Sequence, residues 1–168
     1  MVHMRSVDAG QYEHIPVLCD EAICQLNIRN GGRYLDGTFG KGGYASRILE
    51  EASCQLFAID RDPMAFSEAI DFSVRYGERF IPMQGCFGDM DSLLAAQGIG
   101  KVDSIVLDLG VSSLQLDDPS RGFSFRFNGP LDMRMGQDGP TAGDIVNSMT
   151  ESDLSLIHIS EPTRQEVI

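Results

Sequence analysis

The chain has 168 residues, of which 42% are hydrophobic and 23% charged, and a formal net charge of −12. This length suffices for one domain with its own core, and the composition is that of a globular protein. The apolar runs are too short for a transmembrane helix, and the N-terminal residues lack the apolar segment of a signal peptide. The acidic charge by itself argues against a nucleic-acid partner, because phosphate contacts need Lys and Arg.

The cysteines indicate neither a metal site nor a disulfide framework. Cys19, Cys24, Cys54 and Cys86 are scattered, and no two of them form a C-x-x-C pair. Zinc sites and disulfide-rich folds usually show regular spacing of that kind. We therefore expect no bound metal, and a reducing, cytoplasmic location fits these thiols best.

The first elements predict a nucleotide-binding unit. A helix is predicted over residues 20–27, and a short apolar strand then ends in Asp36, with four glycines in the next seven residues. Residues 45–52 predict a second helix. Strand, glycine turn and helix open the nucleotide-binding α/β folds, where glycine lets the backbone approach a ligand closely. The next strand, 55–60, ends in Asp60, the place where such folds hold a ribose hydroxyl pair.

Two classes of ligand fit this unit. Residues 40–45 satisfy the dinucleotide fingerprint G-x-G-x-x-A, although a single match of that kind is weak. Asp36 stands directly before the glycines, where its carboxylate would repel a pyrophosphate. It would attract a ligand that carries an ammonium and a sulfonium group, which describes S-adenosylmethionine. An ordinary glycine-rich turn without a ligand is the third reading.

The alternation of strand and helix continues beyond Asp60. The predicted elements are a helix at 64–71, a strand at 80–84, a helix at 91–97 and a strand at 102–110. Pro82 indicates that the third strand lies at a sheet edge. The run Ile105-Val106-Leu107 is typical of a strand buried on both faces. Four alternations of strand and helix predict a parallel sheet.

Residues 111–143 interrupt this rhythm. They form a long segment rich in Asp, Gly, Pro and Arg, and loops of this length are usually functional or disordered. We favour an ordered loop over the mouth of the ligand site, with a solvated insertion as the alternative. Residues 141–149 then predict a short helix, and Thr150 predicts the cap of another, with Asp153 three residues later.

Acids close three of the four predicted strands, namely Asp36, Asp60 and Asp108. Ligands of open parallel sheets bind at these carboxyl ends. Phe87 follows the third strand instead, and its ring suits a flat base. Asp108 ends the strand predicted to be buried and is therefore expected at the floor of the cleft, where a methyl acceptor would meet its donor. A role in a turn or a helix cap is the alternative for Asp108.

Six motifs stand in a fixed order along the chain. They are Asp36-Gly-Thr-Phe-Gly-Lys-Gly-Gly, Ala58-Ile-Asp-Arg-Asp-Pro63, Leu107-Asp-Leu-Gly-Val-Ser-Ser113, Gln115-Leu-Asp-Asp118, Arg121-Gly-Phe-Ser-Phe125 and Gly129-Pro-Leu-Asp-Met-Arg-Met135. Together they resemble the RsmH (MraW) family, bacterial methyltransferases of cytosine N4 in small-subunit ribosomal RNA. The resemblance covers residues 14–154. It implies a partial methyltransferase domain of the Rossmann-like class I type, an α/β fold truncated after about the fourth strand.

The resemblance also implies a set of S-adenosylmethionine contacts. The family's cofactor-binding positions fall on Gly42, Gly43, Tyr44, Asp60, Phe87, Asp108 and Gln115. The charge argument adds Asp36 to this set. The family commonly has histidine at the position of Tyr44, so a backbone contact there would survive the change, whereas a side-chain contact would depend on the histidine.

The reaction implied by the resemblance is direct displacement at the sulfonium methyl. The exocyclic amine of cytosine is a weak nucleophile, so the enzyme must hold it in line with the methyl carbon. A carboxylate at Asp108, the implied catalytic residue, would stabilise the positive charge that develops on nitrogen. The target base in the ribosomal RNA, or in the small ribosomal subunit, must be unstacked to reach such a site.

The two ends of the chain are expected to lie outside the domain. Residues 1–13 predict a flexible tail, and residues 155–168 predict a foreign or unstructured one, with a natural divergent terminus as the alternative. We expect this chain to be an inactive fragment, and its oligomeric state is not indicated. An NAD(P)-dependent oxidoreductase domain and a non-catalytic binding module of the same fold are the competing functions.

Overall fold

The computed structural model describes residues 18–155, which contain a four-stranded parallel sheet with the strand order β3-β2-β1-β4. The strands are β1 (Arg33–Asp36), β2 (Gln55–Asp60), β3 (Phe80–Gln84) and β4 (Ser104–Val106). In the centre of the sheet, Leu35 pairs with Phe57 on one side and with Ile105 on the other. The predicted parallel α/β sheet is therefore confirmed.

Helices separate the strands in the predicted order. They are α1 (Cys19–Leu26), α2 (Gly43–Glu51), α3 (Ala65–Tyr76), α4 (Met90–Ala96), α5 (Ser113–Asp117), α6 (Ala142–Ser148) and α7 (Glu151–Leu154). Short 3-10 turns occur at Gly77–Arg79, Phe87–Asp89 and Pro119–Arg121. Among residues 18–155 no helix has the length and apolar character needed to cross a membrane.

The two faces of the sheet belong to two apolar clusters. Tyr34 and Leu56 pack with α1, α2 and α3 on one face, whereas Leu35 and Phe57 pack with Leu94 of α4 on the other. Successive strand residues point to opposite faces, so a strand covered on both sides must be apolar throughout. The sequence of β2 meets this requirement, and its carboxyl end is held firmly between two layers of helices.

The predicted element boundaries are confirmed for β2 and β3 and shifted elsewhere. Helix α3 continues to Tyr76 and stops at Gly77, whose positive φ of 58° ends the helix. Strand β3 is an edge of the sheet, as Pro82 predicted. The Thr150 cap is also confirmed, since its side chain accepts a hydrogen bond from the Asp153 backbone N–H at 3.3 Å.

The prediction for the fourth strand was wrong in length and burial. Strand β4 covers only Ser104–Val106, and its neighbour among the described residues is β1 alone. Val106 faces the core, but Ile105 and Leu107 remain 45% and 41% exposed. An apolar run is buried on both faces only if layers cover both of them. Ile105 pairs with Leu35 on the face packed by α4, but the described residues cover its side chain only in part.

The segment predicted as a long loop is partly helical. Within residues 111–143 the chain forms α5 and the Pro119–Arg121 turn before α6 begins. A capping box starts α5, because the Ser112 and Gln115 side chains each bond to the other's backbone N–H. The segment is thus ordered next to the sheet. The predicted tail at 1–13 lies outside the described residues, as does that at 155–168 beyond Ser155.

Candidate functional site

A cavity of about 180 Å³ lies at the carboxyl ends of β1, β2 and β4. Its walls are the glycine-rich loop after β1, the residues that follow β2 and the segment 108–115, with Phe87 and Met135 completing the lining. Ligand pockets for drug-sized molecules usually enclose about 300–1,000 Å³. A ligand of that size would therefore extend from this cavity into the solvent.

The glycine-rich loop is shaped by two residues with positive φ, Gly40 at 53° and Gly42 at 80°. Gly42 is the N-cap of α2 and lies against the rings of Phe39 and Phe72, so it is buried and does not line the cavity. Gly43, the first residue of α2, does line it. The loop therefore presents its backbone to the cavity, while Gly42 permits the close packing behind it.

Asp60 joins the end of β2 to this loop. Its Oδ2 accepts a hydrogen bond from the Gly40 N–H at 2.7 Å, and its Oδ1 accepts one from the Asp62 N–H at 2.8 Å. A carboxylate has about four acceptor positions, so each oxygen can accept another hydrogen bond. Asp60 lines the cavity, and its free acceptor positions match a pair of ligand hydroxyls.

Asp36 lies deeper than the sequence argument assumed. Its side chain is 1% exposed and does not line the cavity, so any contact with a ligand would be indirect. The Thr38 N–H donates to Oδ1 at 3.0 Å, and Oδ2 has no hydrogen-bond partner among the described residues. Burial raises the pKa of Asp36 to about 7, and the nearby Asp60 and Asp108 carboxylates add to the rise.

The expectation that Asp108 forms the floor of the cleft was wrong. Strand β4 ends two residues earlier, and Asp108 is exposed on the wall of the cavity. Its backbone N–H donates to the Thr38 hydroxyl at 2.7 Å, which fixes it beside the glycine-rich loop. Tyr44 lines the same cavity, and burial together with the nearby Asp108 charge raises the pKa of its phenol. Asp108 is thus open to a molecule that arrives from solvent.

Gln115 belongs to a buried polar network that sequence reasoning missed. Its Nε2 donates to Asp62 Oδ2 at 3.0 Å, and Arg121 Nη1 donates to the same oxygen at 2.9 Å. Gln115, Asp62 and Arg121 are 4%, 2% and 5% exposed. Both charged residues stood in motifs that carried the family resemblance, but an acid and a base 59 positions apart give no local signal of pairing.

The charge of the cavity is negative where the predicted contacts meet. Its cationic residues are engaged at the rim, Lys41 with Asp117 and Arg61 with Asp138, each at 3.9 Å. Within the described part of the chain, Asp60 and Asp108 form no ion pair. Two uncompensated carboxylates favour a cationic ligand and disfavour a pyrophosphate.

The structure brings most of the predicted contacts together. Those that line the cavity are Gly43, Tyr44, Asp60, Phe87, Asp108 and Gln115. Asp36 and Gly42 stand behind it and shape its base and its loop. In residues 18–155 no group of three or more His, Cys, Asp or Glu side chains is arranged to hold a metal ion.

The chain is similar over most of its length to curated proteins named "Ribosomal RNA small subunit methyltransferase H". It is 53% identical to the one from Acidiphilium cryptum over 155 residues, which are 91% of this chain and 50% of that protein. It is 55% identical to the one from Rhodospirillum centenum, covering 90% of this chain and 46% of that protein. The chain thus spans about half the length of these relatives.

Solved structures give a weaker comparison. An rRNA methylase from Streptococcus thermophilus aligns with 12% identity over 49% of each chain and a TM-score of 0.39. The fold assignment accordingly rests on the strand order and on the family. The family model described as the MraW methylase family matches residues 11–162, and it extends past the domain end predicted at residue 154. The chain therefore belongs to the MraW methylase family.

Proposed function

We propose that this chain supplies the S-adenosylmethionine site of an enzyme that methylates N4 of a cytosine in small-subunit ribosomal RNA. The name shared by the relatives supports the ribosomal RNA substrate. The observation that carries the cofactor assignment is the pair of uncompensated carboxylates, Asp60 and Asp108, that line the cavity. The negative charge that they give the cavity favours a ligand with a sulfonium and an ammonium group over one with a pyrophosphate. A cytoplasmic location, where small ribosomal subunits are found, is part of the same proposal.

Each lining residue has a role that follows from its position. Asp60 would accept hydrogen bonds from the ribose hydroxyls, because its oxygens retain free acceptor positions. Phe87 offers a ring against the adenine, and Gln115 holds its amide in the wall. Gly43 and Tyr44 line the cavity at the start of α2, where the glycine-rich loop lets a ligand approach the backbone closely. Asp36 would act from beneath the loop, through Thr38.

Asp108 is the residue proposed to take part in the methyl transfer. When bound, S-adenosylmethionine supplies a methyl group activated by the sulfonium. The exposed carboxylate of Asp108 would orient the cytosine amine and offset the positive charge that develops on its nitrogen. Its exposure agrees with this role, because an unstacked base must reach it from solvent.

Calorimetry with S-adenosylhomocysteine and with NAD tests the cofactor assignment on the purified chain. We expect heat of binding with S-adenosylhomocysteine and none with NAD at the same concentration. Binding of NAD alone would overturn the proposal in favour of a dinucleotide-dependent enzyme. A non-catalytic module of this fold would also bind S-adenosylhomocysteine, and only the absence of methyl transfer by a full-length relative would identify it.

A further inference from the structure

We infer that Arg121 is a positioning residue of this site, which holds both Asp60 and Gln115 in place through Asp62. The inference rests on the proposed function and adds a residue that does not itself line the cavity. Arg121 lies in the Pro119–Arg121 turn, and its side chain is almost fully buried. A buried guanidinium is costly unless its donors and its charge are matched, so the groups that match it are informative.

The guanidinium of Arg121 connects three separate parts of the chain. Nη1 donates to both carboxylate oxygens of Asp62, at 3.2 and 2.9 Å, in the connection between β2 and α3. Nη2 donates to the carbonyl oxygens of Arg134 and Met135, each at 3.0 Å. The Arg121 carbonyl accepts from the Met133 N–H at 3.0 Å. Arg121 thereby closes the segment 121–135 on itself and fastens it to the sheet.

Asp62 connects Arg121 to two of the predicted cofactor contacts, Gln115 and Asp60. Its Oδ2 accepts from Gln115 Nε2 at 3.0 Å, and its backbone N–H donates to Asp60 Oδ1 at 2.8 Å. The Asp62 carboxylate thus holds the Gln115 amide nitrogen, while the Ser112 N–H donates to its oxygen at 3.1 Å. The Asp62 backbone holds the Asp60 carboxylate toward the cavity. Removing the guanidinium would leave a buried acid without its counter-charge and free α5 to move.

The geometry separates Arg121 from its neighbour Arg134, which serves as the matched control. Arg134 forms an ion pair with Asp132 at 2.7 Å in the same segment, but its side chain is 31% exposed and does not line the cavity. The pair is bidentate and partly exposed, and none of the hydrogen bonds of the Arg134 side chain reaches Asp62 or Gln115. Arg121→Met and Arg134→Met therefore remove the same side chain from one segment, and only the first breaks the connection to Asp62.

The first measurement needs no ligand. Hydrogen exchange should accelerate in residues 113–121 and 133–135 of Arg121→Met, while β1 and β2 stay protected. In Arg134→Met, exchange in residues 113–121 should stay unchanged. If Arg121→Met does not fold, Arg121→Lys replaces it, because it keeps the charge opposite Asp62 but loses the fork that reaches the carbonyls of Arg134 and Met135. Faster exchange would then be expected at 133–135. Unchanged exchange in whichever variant folds would overturn the anchoring role.

The second measurement asks whether Arg121 acts through Gln115. We expect Arg121→Met to weaken S-adenosylhomocysteine binding about tenfold, within the range of coupling between residues of one network. The Arg121→Met/Gln115→Ala double variant should bind about as weakly as Arg121→Met alone, because the amide is already misplaced. If the affinity losses of Arg121→Met and Gln115→Ala add in the double variant, the effect is a general structural one and the inference is overturned. Equal affinity in Arg121→Met and Arg134→Met would also overturn it.

Failure of the proposed function has a different signature. If the unsubstituted chain binds no S-adenosylhomocysteine, the cofactor assignment fails for this chain, and the exchange measurement alone decides whether Arg121 anchors the segment. Suppose instead that the unsubstituted chain binds S-adenosylhomocysteine and that the affinity losses of Arg121→Met and Gln115→Ala add in the double variant. The cofactor assignment then stands, and the positioning role of Arg121 is overturned.

Discussion

Asp60 is the residue through which three parts of the site meet. It ends β2, accepts the Gly40 N–H of the glycine-rich loop and accepts the Asp62 N–H that leads to Arg121. Its carboxylate therefore shapes the loop before any ligand arrives and still has acceptor positions directed to one. One acid at the end of a strand therefore both holds the glycine-rich loop in place and offers hydrogen-bond acceptors to a ligand.

Asp60→Ala should weaken S-adenosylhomocysteine binding by roughly 1–3 kcal/mol, the range for losing hydrogen bonds to a charged group. Calorimetry on the purified variant measures the change, with unfolding recorded in parallel because Gly40 also loses its acceptor. Asp71→Ala, which removes an exposed acid of α3 away from the cavity, is the control for net charge. Unchanged affinity in Asp60→Ala would remove this residue from the site.

Asp36 should make the stability of the protein depend on pH. Burial raises its pKa from 3.8 to about 7, so the folded state binds this proton more tightly than the unfolded chain does. The resulting stabilisation is fully present below pH 4 and is lost as the pH rises toward 7. At about 1.4 kcal/mol per pKa unit, the loss from this fully buried group is about 4 kcal/mol.

The variant Asp36→Asn, which cannot ionise, isolates this contribution. The unfolding free energy of the unsubstituted chain minus that of the variant should fall by about 4 kcal/mol between pH 4 and pH 8. Urea titrations at several pH values measure it, with Asp71→Asn as the control for losing one exposed charge. Parallel stability curves for the chain and Asp36→Asn would contradict the prediction.

Among the elements, the start of α2 depends on how closely the glycine-rich loop approaches helix α3. Gly42 has a φ of 80° and lies where a Cβ would meet the rings of Phe72 and Phe39. These two rings pack edge to face with centroids 5.2 Å apart, so neither can move aside freely. The glycine thus fixes the distance between the loop that lines the cavity and the helix α3 behind it.

Gly42→Ala should destabilise the fold by about 1–3 kcal/mol more than Gly98→Ala, the usual range for overpacking a core. Gly98 has a φ of 72° but no atom within 4 Å of an added Cβ, so it carries the backbone strain without the collision. Urea unfolding of both variants gives the difference. Equal destabilisation would mean that backbone conformation alone, and not packing against Phe72, selects glycine at position 42.

For the whole molecule, the unpaired edge of β4 and the acidic net charge both bear on binding to a ribosomal subunit. Ile105 and Leu107 are substantially exposed beside a strand edge that no other described residue pairs. Edges of this kind promote association between copies. The net charge of −12 gives few contacts for RNA phosphates. Both properties oppose stable binding to a ribosomal subunit.

We therefore predict that this 168-residue chain by itself does not methylate ribosomal RNA. The measurement uses the purified chain, small ribosomal subunits that lack the modification, and radiolabelled S-adenosylmethionine. A full-length relative is the positive control for the subunits and the cofactor. Label transferred to the RNA in a stoichiometric amount would contradict the prediction and show that the portion present here is sufficient.

The order of the elements and the family could both be predicted from the sequence. Strands β2 and β3, the glycine turn and the Thr150 cap were predictable because each depends on neighbours in the chain: apolar runs, glycine conformations and hydrogen bonds over three residues. Alternating strands and helices imply a parallel sheet, and the carboxyl ends of parallel strands share one edge. That Asp60 and Phe87 line one cavity therefore followed from local pattern and connectivity.

Which acids are buried and which charges pair became clear only from the packing of distant segments. Asp36 and Asp108 both follow a leucine in an apolar run, yet one lies beneath the glycine-rich loop and the other on an open wall. Their burial depends on layers contributed by distant segments, which composition does not encode. The same holds for Asp62 and Arg121, since a buried ion pair across 59 positions forms only when folding removes both groups from water together.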